Sequence, residues 1–538
     1  MIRAYTAAQV RTAEAPVLTV LGDVLMERAA FALSTAVLRV LKLRRGRVRG
    51  ARVVVLVGAG NNGGDALYAG ARLARRGVTV LAVTATATVH PAGLAALLAS
   101  GARVVSLAED GPGEPAWLGD AVAEAFTADV VLDALVGIGG AGALRGPAGQ
   151  LVAVLSGLIC AEELGSPFVI AVDLPSGIGV DDGALPGPVL PASLTITFGA
   201  AKPGLLLPPA RERAGRVQVV DLGLVPGLER GDGPAVARLE TADVAALWPA
   251  PVGTDDKYSR GVLGVIAGGG QFPGAAVLAS SAAVRAGVGM VRYLGPRSAT
   301  SAVLAARPEV VAAEGRVQAW LLGPGVDPGD EDQAGRVAAA LAAALGAQPV
   351  PAVVDAGALE LLPERCAPYL VLTPHAGELA RLLTQRGQPT ERAAVAAEPL
   401  RHVRLASRLT GATVLLKGST TVIADPDGTV YAQDSGPSWL ATAGAGDVLA
   451  GVLGALLAGY GARVVERPEL AARLAAAAVV VHGRAAWRAS SRGEPDRPGA
   501  TSGPIAALDL IEALPGTIAA LLAGPALLAG PAGWRPRP

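Results

Sequence analysis

Two groups of residues in this 538-residue chain combine the types and spacing that chemistry needs. The first is GAGNNGGD, Gly58 to Asp65. Its glycines let a backbone approach a phosphate, and a helix opening there supplies free N–H groups and positive potential. The tandem Asn61-Asn62 adds side-chain oxygens suited to an ion or a polar ligand. Downstream, Asp133 and Asp173 each end a short apolar run. A carboxylate so placed can move protons, or can merely cap the next helix. The second group centres on ATAGAGDVLAGVLGALLAG, Ala441 to Gly459. A GxGD at a helix start gathers backbone amides around a developing phosphoryl charge, and Asp447 can take a proton from a hydroxyl nucleophile. TPHAGE sets His375 and Glu378 in a strand-end loop, and KGSTTVI sets Lys417 in another.

The elements that must hold these residues follow from periodicity. In the first half, β-branched runs at Val53–Val57, Val78–Val83, Val130–Leu132 and Val169–Val172 alternate with helical stretches such as Asp65–Arg76. This rhythm predicts a parallel sheet with helices on both faces, and ligands bind at the carboxyl ends of such strands. The loops after Val57, Leu132 and Val172 should therefore meet. A Pro/Gly-rich stretch, Leu222 to Pro234, ends the series. A second α/β series begins with the strand Val262–Ala267 and a helix over Gly274–Gly287. We expect one domain over residues 1–235 and another over 236–538.

Composition narrows the class. Hydrophobic residues make up 51% and charged residues 17%, which specifies a globular chain. Lys and Arg total 46 and so do Asp and Glu, so nothing global favours nucleic acid or an anionic membrane. Cys160 and Cys366 are too few and too far apart for a disulfide framework, and both are expected in the core. The opening MIRAYTAAQV has no apolar stretch, so a cytoplasmic protein is expected. Val448–Tyr460 and Ile518–Leu528 are apolar but shorter than the roughly 20 residues a span requires, and are read as buried helices. The Pro/Gly-rich end from Gly530 is expected to fray.

The first half resembles the NAD(P)H-hydrate epimerase family. LMERAA (Leu25–Ala30), GAGNNGGD, VVLDALVGIG (Val130–Gly139), LRGP (Leu144–Pro147), FVIAVDLPSGIGVDDG (Phe168–Gly183) and TITFGAAKPGL (Thr195–Leu205) follow in that family's order. The resemblance implies a Rossmann-like parallel-sheet sandwich. It implies a potassium ion held by Asn62, Asp133 and Ser176, and a substrate-binding set of Asn61, Asn62, Gly63, Gly64, Asp65, Gly137, Gly139, Leu144, Arg145, Gly146 and Pro147. Asp173 matches the acid/base position. Two departures stand out: Ala66 replaces a common glycine, and GAGA, Gly140 to Ala143, lengthens the second loop.

The second half resembles ribokinase-like enzymes, and within them the NAD(P)H-hydrate dehydratase branch. GGGQFPGAAVLASSAAVRAGVGMV (Gly268–Val291), GPGV (Gly323–Val326) and TPHAGE carry that likeness. It implies a ribokinase-like α/β domain in which hydrated cofactor meets Ala276, Gly325, His375 and Asp447. The adenine nucleotide would meet Lys417, Gly418, Ser419, Thr420, Thr421 and Gly446. KGSTT and TAGAGD stand where the family often has KGAGT and TGGTGD. The implied reaction phosphorylates the C6 hydroxyl of hydrated NADH or NADPH, with magnesium on the nucleotide. Phosphate then leaves and the ring double bond returns. Fusion of the two halves implies ADP as donor, with AMP and phosphate as products. Self-association is expected. A rival reading is a small-molecule kinase fused to a non-catalytic binding module; a kinase would release a phosphorylated product, a dehydratase free phosphate.

Overall fold

The computed structural model describes residues 1–22, 24–161, 165–434, 436–490 and 502–524. The chain divides into two compact units, Arg3–Val236 and Ala237 onward, with Met1 and Ile2 grouped in the second. The segment from Gly530, and the end of the apolar tail beyond Gly524, lie outside the described residues.

The first unit is built on a parallel sheet. Its strands run, edge to edge, Glu114–Pro115, Arg103–Ser106, Thr79–Thr84, Arg52–Val57, Val130–Ala134, Phe168–Val172, Leu194–Phe198 and Arg216–Val220. Alternation along one strand makes two cores: Val53, Val55 and Val57 enter one, while Val54 and Leu56 enter the other. The strand order reverses between Arg52–Val57 and Val130–Ala134, where Leu56 pairs with Asp133. That reversal opens a crevice at the strands' carboxyl ends.

The helix after the first of these strands spans Asn61–Ala74, so Asn61 to Asp65 form its first turn rather than a loop before it. Glycine is required here by contact. A Cβ on Gly58 would lie 1.8 Å from the Leu135 carbonyl oxygen, and one on Gly63 2.4 Å from that of Gly58. These approaches outweigh glycine's poor helix propensity. The helix Val24–Arg45 covers it with Leu25, Ala29 and Leu33.

Cys160 corrects the sequence expectation. It is exposed, because the helix Gly146–Ala161 buries Leu151, Val152 and Leu155 and turns Cys160 to the other face. Cys366 is only partly buried.

In the second unit the strands Met290–Tyr293, Val262–Ile266, Ala319–Leu322, Ala352–Val354, Leu370–Leu372 and Thr413–Leu416 are parallel neighbours. Thr421–Ala424 and Val430–Gln433 then continue antiparallel, so KGSTT is a hairpin turn. The order reverses between Val262–Ile266 and Ala319–Leu322. The apolar run after Asp447 is the body of the helix Ala445–Tyr460, buried along most of its length. It packs against Pro273–Ala286 so closely that a Cβ on Gly451 would lie 2.4 Å from the Ala279 carbonyl oxygen. Among the described residues, no helix is long and apolar enough to cross a membrane.

Candidate functional site

In the first unit, the strand ends after Val57, Ala134 and Val172 meet at a cavity of about 960 Å³. Asn61, Asn62, Asp65, Gly137, Gly139 and Asp173 line it. A smaller cavity of about 200 Å³ adjoins them through Leu135, Val136 and Gly137. The additional Gly140–Ala143 segment, Leu144 and Arg145 line this second space. Gly63 and Gly64 are buried within that first turn, and Gly146 and Pro147 open the helix Gly146–Ala161.

Asp133 is a structural hub. Its Oδ2 accepts from the Ser176 amide at 2.9 Å, and the Ser176 hydroxyl accepts from the Val136 amide at 2.9 Å. Burial raises the Asp133 carboxyl, and hydrogen bonds from Ser176 and the Leu135 amide offset part of that rise. Asn62 lies beside them with both Oδ1 and Nδ2 buried and unpartnered among the described residues.

Asp173 sits at φ 65°, an uncommon angle for a residue with a side chain. What holds it there was not assigned from sequence. Lys202, 1% exposed, donates to Asp173 Oδ1 at 2.5 Å, to Thr197 Oγ1 at 2.9 Å and to the Phe198 carbonyl at 3.0 Å. Thr197 Oγ1 donates to the same Oδ1 at 3.0 Å. A lysine before Pro-Gly in an otherwise apolar motif was the available signal. Asp65 differs: its carboxyl makes no hydrogen bond among the described residues. Burial, then the charges of Asp173 and Glu14, push it well above the usual carboxylate range.

In the second unit, Lys417 Nζ lies 2.7 Å from Asp355 Oδ1 and 3.8 Å from Glu378 Oε2. Asp355 directly follows the Ala352–Val354 strand, and no role for it was assigned from sequence. These carboxylates, and Asp447 beyond them, outweigh the effect of burial and raise the Lys417 ammonium. Gly446 faces that ammonium: a Cβ there would lie 3.6 Å from Nζ. Asp447 lies in the first turn of its helix, where amides lack intrahelical acceptors. Burial and the nearby Asp355 raise its carboxyl to about 7, against the opposing pull of Lys417. The first carbonyl of that helix, Ala445, is fixed by the buried His482 through Nε2 at 2.9 Å. Burial holds His482 down to about 4, so it is neutral and donates.

His375 caps the helix Ala376–Gln385. Its Nδ1 accepts from the Gly377 and Glu378 amides at 3.0 and 3.2 Å, and Glu378 bonds back to the His375 amide at 2.8 Å. The Lys417 amide donates to the Pro374 carbonyl at 2.9 Å, which ties the TPHAGE and KGSTT loops together. Gly325, at φ 67°, closes the GPG turn against Phe272 and Ala275. Ala276 is fully buried under Gly268, and Thr420 and Thr421 are buried in the hairpin; Gly418 and Ser419 form its turn. Among the described residues, no cluster of His, Cys, Asp and Glu is arranged to hold a metal ion.

Comparisons with known proteins follow the same division. The family model described as NAD(P)H-hydrate dehydratase matches residues 263–498, and that of the YjeF-related protein N-terminus matches residues 22–204. The bifunctional NAD(P)H-hydrate repair enzyme Nnr of Mycobacterium tuberculosis is 46% identical over 468 residues, covering 84% of this chain and 89% of its own. The NAD(P)H-hydrate epimerase of Clavibacter michiganensis is 46% identical over 223 residues, covering 41% of this chain and 90% of its own. Among solved structures, the ADP/ATP-dependent NAD(P)H-hydrate dehydratase of Bacillus subtilis, co-crystallised with ATP and Mg2+, is 24% identical with a TM-score of 0.43. It covers 53% of this chain and 99% of its own. With a full-length relative this similar across both halves, the chain belongs to the family of bifunctional NAD(P)H-hydrate repair enzymes.

Proposed function

We propose that the chain repairs hydrated NADH and NADPH, interconverting their R and S forms in the first unit and dehydrating the S form in the second. The observation that carries this reading is that each unit sets a carboxylate and a lysine at the carboxyl end of its sheet: Asp173 bonded to the buried Lys202, and Asp447 within the electrostatic influence of the half-buried Lys417.

In dehydration, Asp447 takes the proton of the C6 hydroxyl as that oxygen attacks the β-phosphorus of ADP, and AMP leaves. Hydroxide is a poor leaving group and phosphate a good one. The ring nitrogen's electron pair then expels phosphate, C5 gives up a proton, and NADH or NADPH is restored. Amides of the Gly446–Asp447 turn and the Lys417 ammonium face the transferred charge. KGSTT and Gly446 would contact the nucleotide, and magnesium bound with it would neutralise the charge of its phosphates. Ala276, having no exposed surface, contributes packing beneath the cofactor site.

The first unit suits a potassium ion. Asn62 Oδ1, the Asp133 carboxylate and Ser176 Oγ are oxygens from three separate elements, and the buried Asn62 oxygen has no other partner among the described residues. Bound there, the ion supplies positive charge that draws the three loops together. The enzyme is expected to act in the cytoplasm and to self-associate, which sedimentation would check.

The test is incubation of mixed R and S hydrated NADH with ADP, following NADH absorbance. Recovery of both epimers supports both activities. Recovery of half removes the epimerase, and no recovery with ADP or ATP removes the dehydratase. Asp447→Ala should abolish recovery, whereas Asp173→Ala should leave only the S form repaired.

A further inference from the structure

We propose that Asp65 and Asp173 divide the proton transfers of epimerisation: Asp173, fixed by Lys202, takes the C6 hydroxyl proton, and Asp65 gives a proton to the ring nitrogen as the N1–C6 bond opens. This rests on the epimerase reading above.

The two carboxyls line one cavity but have opposite surroundings. Asp173 Oδ1 accepts from Lys202 at 2.5 Å, from Thr197 at 3.0 Å and from the Phe198 amide at 3.3 Å. Three donors, one of them the Lys202 ammonium, thus converge on this single oxygen and fix the carboxylate's orientation towards the cavity. Its Oδ2 has no donor among the described residues and is left for substrate. Asp65 has neither a donor nor a cation within hydrogen-bond reach among the described residues. Burial and two neighbouring carboxylates favour its neutral form, which makes it an acid.

The other charged or titratable groups bordering the cavity are Arg11, Glu14, His90 and Lys202. Arg11 is occupied by the Ile138 carbonyl at 2.7 Å, and the His90 ring caps a helix by accepting from the Gly93 amide at 3.1 Å. Glu14 also keeps its proton more readily than usual through burial, but Lys202 opposes that shift. Asp65 feels only other carboxylates, and it stands on a rigid helix turn at the strand reversal. In that turn an anionic Asp65 would repel phosphate, whereas a neutral one can donate.

The chemistry balances without a co-reactant. The C6 carbon bears both the hydroxyl and the ring nitrogen. As Asp173 takes the O–H proton, C6=O forms, the N1–C6 bond breaks, and its electron pair goes to N1. Asp65 protonates N1. The open-chain aldehyde turns about C5–C6 and presents its other face. On closure N1 attacks C6, Asp65 recovers the N1 proton, and Asp173 returns the proton to oxygen.

The test is R/S exchange by the full chain without ADP, in D2O and in 18O-labelled water, read by NMR and mass spectrometry. The C6 hydrogen and C6 oxygen should both be retained. Asp65→Asn should slow exchange at least about 100-fold, while its ADP-dependent dehydration of the S form stays within about twofold of the unaltered enzyme, showing that the chain is folded. Deuterium at C6, or water oxygen at C6 in most turnovers, would overturn the ring-opening route. Exchange by Asp65→Asn within about threefold of the unaltered enzyme, or an equal loss in Glu14→Gln, would overturn the role of Asp65. No exchange by the unaltered enzyme would remove the epimerase reading itself and this division with it.

Discussion

Lys417 holds its ammonium 2.7 Å from Oδ1 of Asp355, a carboxylate only 2% exposed. Gly446, at the start of the Ala445–Tyr460 helix, faces this ammonium, and the pair links the ends of the Ala352–Val354 and Thr413–Leu416 strands across the intervening Leu370–Leu372. It also sets the charge that Asp447 experiences, because Asp355 raises that carboxyl and Lys417 lowers it.

Lys417→Met removes the lowering influence. The acid limb of the dehydratase pH profile, expected near pH 7 from Asp447, should move to higher pH. The KM for ADP should rise as well. Rate profiles with S-hydrated NADH between pH 5 and 9 check both, and an unmoved limb would separate Lys417 from Asp447.

Asp447→Asn should stabilise the second unit in a pH-dependent way. The folded carboxyl is raised to about 7 from an ordinary value of 3.8. Stability is then fully present below about pH 4, declines as pH rises to about 7, and stays lower beyond. The asparagine variant lacks this decline. Full conversion of the shift would be about 4 kcal/mol, and screening at a partly exposed site reduces it to about 1–2 kcal/mol. Melting curves of the two proteins should coincide at pH 4 and part by pH 8.

Lys202→Met leaves Asp173 buried without its cation. Breaking a buried pair in this way costs about 3–5 kcal/mol. Thermal unfolding of the first unit should move to lower temperature and R/S exchange should fall. Dehydration of S-hydrated NADH measured below that transition should persist.

Gly325→Ala puts a Cβ 2.7 Å from Ala275 Cβ and 2.9 Å from the Phe272 carbonyl, at a backbone angle that disfavours side chains. The strain is about 1–3 kcal/mol. Dehydratase turnover should fall with little change in R/S exchange, which separate assays of the two activities would resolve.

Much of this arrangement is legible in the sequence because it depends on local signals. β-branched runs mark the central strands, and Gly-rich turns mark their carboxyl ends. Asp133, Asp173 and Asp355 end or follow such runs, so their neighbourhood can be inferred before any packing is known. Lys202, His482 and the true environment of Asp65 could not be read this way. Each depends on what lies across the fold: the Asp173 carboxylate 29 positions before Lys202, the Ala445 carbonyl 37 before His482, and the carboxylates of Asp173 and Glu14 around the cavity for Asp65. Cys160 misled for the same reason, since residue type states a preference for burial but only the packed helix decides which face is covered.

By itself the sequence determined two α/β units, their strand-end loops and the residue types offered there, because backbone propensity and side-chain periodicity act over a few residues. Tertiary structure decided what those residues can do. It turned Asn61 to Asp65 into a helix's first turn, fastened Asp173 to a buried lysine, left Asp65 without a partner among the described residues, and set Asp447 between a carboxylate that raises it and an ammonium that lowers it. Protonation depends on burial and on charges brought close from distant parts of the chain, and neither exists until the sheet has assembled.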